Sequence, residues 1–117
     1  MQIFEVTDSH SEKEFIQLPV RLYRNEENWI RPLDKDIKAI FDPQKNKNYR
    51  NGEAIRWILK NDKDEVIGRL AAFIIKKVAE AQEQPTGGIG FFECINDQAA
   101  AFMLFDAGKK WLKERGM

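Results

Sequence analysis

The chain has 117 residues, 43% hydrophobic and 32% charged, with 19 basic and 19 acidic side chains and a formal net charge of zero. This length suits one domain, 1–117, and the apolar share is too high for a disordered chain. Balanced charge excludes a general electrostatic footprint for nucleic acid or an anionic membrane, and no apolar run approaches the ~20 residues of a membrane span.

Gln2 to Val6 reads as a short strand. Ser11-Glu12-Lys13-Glu14 has the form of a capping box, with Phe15, Ile16 and Leu18 as the apolar face behind it. Pro19 lacks an N–H and is expected to end that helix, leaving Val20, Leu22 and Tyr23 in a second short helical segment. Asn28-Trp29-Ile30-Arg31-Pro32-Leu33 reads as extended, because Pro32 pushes Arg31 out of the α region. Asp34 to Phe41 reads as a short helix with Ile37, Ile40 and Phe41 on one face, stopped by Asp42-Pro43. Gln44 to Gly52 is a polar, turn-rich loop.

Strand signals dominate the middle of the chain. Ile55, Trp57 and Leu59 alternate with their neighbours, Asn61-Asp62-Lys63-Asp64 is a turn, and Val66 to Ile75 runs apolar around Gly68 and Arg69. Lys76 to Gln84 suits one helical turn, and Pro85-Thr86-Gly87-Gly88 leads into a strand from Ile89 to Ile95. The last element is a long helix, capped by Asn96 or Asp97. Ala101, Leu104, Phe105, Gly108, Trp111 and Leu112 form its apolar face, and Gly116 lies just beyond its end. The predicted fold is therefore α+β: an antiparallel meander of about four strands, two short helices after the first strand, and a C-terminal helix packed on the sheet.

Few residues suggest chemistry. The glycines at 87, 88 and 90 precede a strand rather than a helix, so they read as a turn and not as a phosphate cradle. His10 is the single histidine, expected on a solvent-exposed turn, and no metal-ligand spacing surrounds it. The lone Cys94 excludes an internal disulfide and reads as a small buried hydrophobe, which fits a reducing cytoplasm. Asp62 and Asp64 lack the later ligands of a calcium loop. Glu5, Glu53 and Glu93 are candidate general bases without a partner in the sequence; Glu93, set among apolar residues near a strand end, carries the most weight. Lys45, Lys47 and Arg50 make a small basic loop, too isolated to argue for nucleic acid. Trp29, Trp57 and Trp111 read as core or interface anchors.

The order strand, helices, hairpin, strand, helix resembles the first half of a GNAT-type N-acetyltransferase fold. The runs Leu18-Pro19 with Tyr23, Asn28 to Leu33, Phe41 to Asn46, Ile67 to Phe73 and Gly90 to Asp97 resemble a little-characterised bacterial group of GNAT-like proteins. The resemblance implies acetyl-coenzyme A as cofactor, its pyrophosphate held by backbone amides between the fourth strand and the following helix. That places a weak site on the amides of Ile95, Asn96, Gln98 and Ala99. The junction here has no glycine, and Asp97 sets a negative charge beside the phosphates.

Members of the group continue beyond this helix, and those later parts complete the cleft, so no catalytic residue carries over. The expected function is a GNAT-like module without acetyltransferase activity of its own. Two alternatives are a homodimer that binds acyl-coenzyme A or acts as an N-acetyltransferase, and a protein-interaction module. The strand from Ile89 to Ile95 would be a sheet edge with Phe91 and Phe92 on opposite faces, and Phe102 and Met103 fall outside the helix's main apolar face. These four residues are the expected interface, with a second copy or the missing C-terminal half of the same protein as partner.

Overall fold

The computed structural model describes residues 1–26, 30–42, 44, 52–75 and 87–116. The basic loop at Lys45, Lys47 and Arg50, the segment holding Trp29, and the turn expected from Lys76 to Gln84 lie outside the described residues. The elements run β1 (Gln2–Glu5), α1 (Ser9–Leu22), α2 (Asp34–Ile40), β2 (Gly52–Lys60), β3 (Val66–Ile75), β4 (Gly88–Cys94) and α3 (Gln98–Glu114). The strands form one antiparallel sheet in the order β1-β2-β3-β4. The predicted α+β meander with a terminal helix on the sheet is the observed fold.

Side chains alternate across the sheet and build a core on each face. Ile58, Ala71 and Phe73 point toward α1 and α2, where they meet Phe15, Ile16, Leu18, Ile37 and Phe41. Trp57, Leu59, Leu70, Ala72 and Ile74 point the other way and pack with Leu104 and Trp111 of α3.

The first helix differs from the sequence reading at both ends. Its N-cap is Asp8, whose carboxylate accepts from the Ser11 amide at 2.7 Å, while Ser11 Oγ accepts from the Asp8 amide at 3.2 Å. The capping box is thus Asp8–Ser11 rather than Ser11–Glu14, one turn earlier than the hydroxyl–carboxylate pattern suggested. Nor does Pro19 end the helix, which continues to Leu22, so no separate second segment exists. A proline inside a helix strands the carbonyl four residues back, here Phe15. A long-range donor compensates: Arg69 Nη1 on β3 reaches Phe15 O at 2.8 Å.

α3 follows its reading closely. Asp97 caps it by accepting from the Ala100 amide at 3.1 Å, and Gly116 sits past its end at φ +79°. Ala100 rather than Ala101 is the buried residue of its first turn. Close approach to β3 requires glycine on both sides. A Cβ on Gly68 would lie 2.6 Å from Leu104 Cδ1, and one on Gly108 would lie 2.9 Å from Leu70 Cδ2.

β4 carries a bulge. Arg69 pairs with Glu93 and Ala71 with Gly90, so Phe91 and Phe92 together oppose Leu70. Phe91 takes a φ of +55° there. The extra residue places Phe91 on the α1–α2 side, among the Phe15, Phe41 and Phe73 rings. Phe92 lies on the α3 side, 4.5 Å from the Phe105 ring.

Candidate functional site

The junction between β4 and α3 is where the resemblance locates cofactor amides. Asn96, Asp97, Gln98 and Ala99 are exposed there. A helix start leaves its first amides without intrahelical partners. The Ala100 amide is taken by the Asp97 carboxylate and the Ala101 amide by the Asp97 carbonyl. The Gln98 and Ala99 amides have no partner among the described residues. The Ile95 amide does not: it donates to Ile67 O at 2.9 Å, extending the β3–β4 ladder, so it has nothing left for an anion. What the junction offers is Asn96, Gln98 and Ala99, with the Asp97 carboxylate beside them.

On the opposite sheet face, at the bulge, lies a second group that the sequence reading did not assemble. Arg69 is the one charged or polar residue buried among the described residues, 5% exposed. Its Nε donates to Phe91 O at 3.1 Å and its Nη1 to Phe15 O. Its guanidinium stands 4.7 Å from the Phe15 ring centroid and 5.6 Å from that of Phe91. Burial lowers its pKa, opposed by the nearby negative charge of Glu93. Glu93 accepts a hydrogen bond from the Tyr23 hydroxyl at the C-terminal end of α1. That bond to the carboxylate raises the Tyr23 pKa, with desolvation adding to it. A narrow cleft of about 60 Å³ opens here, lined by Ile16, Pro19, Arg31, Asp34, Arg69 and Glu93 among others.

Two signals for this group were present in the sequence. Arg69 interrupts an apolar strand, and a buried arginine demands acceptors. A proline within an amphipathic helix strands a carbonyl that demands a donor.

The remaining candidates sit apart. His10 is on α1 rather than in a turn, with Nε2 3.4 Å from Glu14 Oε1. Cys94 is partly buried against the α3-side core, and desolvation, then Asp97, pushes its thiol pKa up. Glu53 pairs with Arg115 at 3.3 Å, and Glu5 is exposed on β1. Among the described residues no group of three or more His, Cys, Asp or Glu converges to hold a metal. No described helix is long and apolar enough to cross a membrane.

The four expected interface residues divide. Phe91 is half-buried in the phenylalanine cluster because the bulge turns it inward, and Met103 packs against the α3-side core beside Leu104. Phe92 and Phe102 are exposed, 38% and 57%, and Ile89 and Ile95 on the same edge are exposed too.

No family model matches the chain. A solved acetyltransferase of the GNAT family from Staphylococcus aureus Mu50 superposes over 97% of this chain and 66% of its own, with a TM-score of 0.61 at 16% identity. The chain has the fold of part of a GNAT acetyltransferase. In sequence it is similar to a bacterial ceramide synthase of Caulobacter vibrioides, 30% identical over 109 residues, and to protein YghO of Escherichia coli, 31% identical over 106 residues. It spans about a quarter of these relatives' length, 27% and 26%.

Proposed function

We propose that this chain is the GNAT-fold part of an acyl-transfer protein, that it binds an acyl-coenzyme A at the β4–α3 junction, and that it needs further structure to turn over. The observation that carries the reading is the GNAT fold itself with the start of α3 exposed and two amides open. Helix N-terminal amides suit a pyrophosphate, while the Asp97 charge opposes one, so binding is expected to be weak. Ceramide formation joins an acyl group to an amine, the same bond class as N-acetyl transfer, so amino lipids belong beside small amines as acceptors. Within this reading Glu93 is the carboxylate that takes the amine's proton, displacing the Tyr23 hydroxyl to do so.

Calorimetric titration with acetyl-coenzyme A and a long-chain acyl-coenzyme A tests the binding claim. Weak heat is expected, strengthened by Asp97→Asn, since Asn keeps the cap and removes the charge. No heat at millimolar ligand would sink the cofactor site. Robust turnover of the 117-residue chain with an amine panel would sink the claim that it is catalytically incomplete.

A second reading is favoured by the exposed Ile89, Phe92, Ile95 and Phe102. The β4 edge then receives the rest of the protein or a second copy. Light scattering across a dilution series separates these: a dimer supports self-association, and a strict monomer leaves only the same-chain partner.

A further inference from the structure

Two backbone carbonyls on different elements lose their regular partners for separate local reasons. In α1, residue 19 would donate to Phe15 O had it an N–H, and it is proline. In β4, the extra residue between Gly90 and Glu93 lifts Phe91 out of the ladder with β3. One side chain takes both: Arg69 donates from Nη1 to Phe15 O at 2.8 Å and from Nε to Phe91 O at 3.1 Å. A planar guanidinium with donors fixed in divergent directions suits two acceptors that face it from different elements; a lysine ammonium is a compact point charge.

We propose that Arg69 is a positioning residue that ties the proline turn of α1 to the bulge of β4, so that the helix sets the shape of the sheet edge. The bulge has a directional effect. Strand residues alternate faces, so without the bulge the same run of residues would turn Glu93 toward α3. With it, Glu93 lies on the α1–α2 side and meets the Tyr23 hydroxyl. By holding Phe91 O, Arg69 holds Glu93 on that side. The placement of Glu93 stands on the geometry alone and rests on the acyl-transfer reading only for the proton that Glu93 would take.

A double-mutant cycle at 19 and 69 in the 117-residue chain tests the link to α1. Pro19→Ala returns an N–H to Phe15 O. Arg69→Met strands two buried carbonyls when Pro19 is present and one when it is replaced. Each stranded carbonyl lowers the folding constant about tenfold. Arg69→Met is therefore expected to cost about tenfold less with Ala at 19. Equal cost in both backgrounds overturns the link. Should Arg69→Met not fold, Arg69→Lys, whose ammonium can take either carbonyl but not both, strands one with Pro at 19 and none with Ala, and carries the same cycle with the same two outcomes.

The link to β4 has its own readout. The carbon chemical shifts of Phe91 report its φ of +55°. They are expected to move in Arg69→Met with Ala at 19, where Phe91 O alone loses its donor, and unchanged shifts overturn this half of the proposal. Neither measurement uses a ligand, so a failed acyl-coenzyme A titration and a failed cycle are distinguishable.

Discussion

The two faces of the sheet are built by different means. Toward α3 the interior is aliphatic and tryptophan-rich, with Gly68 and Gly108 admitting close contact. Toward α1 and α2 the interior is aromatic and cationic. Phe15, Phe41, Phe73 and Phe91 pack together, Arg69 lies among them, and Arg56 stands 4.4 Å from the Phe41 ring centroid while pairing with Glu12 at 3.0 Å. The first face is held by shape. The second also has to satisfy backbone groups released by a proline and a bulge, which is why charge is buried there. Polar work and irregular backbone occur together, and the Tyr23–Glu93 pair and its cleft lie on the irregular side.

Substitutions can break or sharpen this contrast. The largest effect is expected from Phe15→Ala, which removes a fully buried ring and the aromatic floor under Arg69. Denaturant titration should show a loss of about 3–5 kcal/mol, and a loss below about 1 kcal/mol would mean the cluster is not the core of this face. On the shape-held face, Gly68→Val should cost about 1–3 kcal/mol by overpacking against Leu104. Adding Leu104→Ala should recover part of that cost, and strict additivity would contradict the close-contact account.

Asp97→Ala should lower stability by about 1 kcal/mol through loss of the α3 cap, with Asp97→Asn nearly neutral. The smallest effects are pH-dependent. Asp8 is held below its ordinary pKa of 3.8 by hydrogen bonds from Ser11. Its folded pKa is depressed, so its contribution is complete above the unfolded value and is lost as pH falls through the folded one. Asp8→Asn should therefore flatten the acid limb of unfolding below about pH 4 and leave neutral pH little changed. Tyr23 has the opposite sign. Its pKa is raised above 10.0, so its contribution is present below that value and is lost as pH rises through the folded pKa. Tyr23→Phe should remove that alkaline step, read by circular dichroism between pH 9 and 12.

The regular parts of the fold were legible because their signals are local. The strand from Val66 to Ile75, the Asp97 cap and Gly116 each depend on neighbours within a few residues. The Asp8 cap lies one turn before the more conspicuous Ser11–Glu14 pattern, because two overlapping capping patterns compete within seven residues and only helix geometry chooses between them. Pro19 and Phe91 depart from their local patterns for a different reason. Their conformations are made tolerable by Arg69, 50 residues from one and 22 from the other in sequence. No window along the chain contains that compensation. The cofactor amides were legible only through resemblance, and the ladder bond that occupies Ile95 required the register between β3 and β4.

The bulge also sets a rule for comparing this chain with others. A strand assigns its residues to faces by odd or even count, and the additional residue at Gly90–Phe91 acts as a parity change for everything after it. A relative without the additional residue would keep a carboxylate two positions after Gly90 on the same face, and a one-residue gap between Gly90 and Glu93 aligns it with Glu93 rather than with Phe92. Gap placement in that four-residue stretch therefore decides which residue of a relative is matched to the carboxylate that faces the α1–α2 cleft.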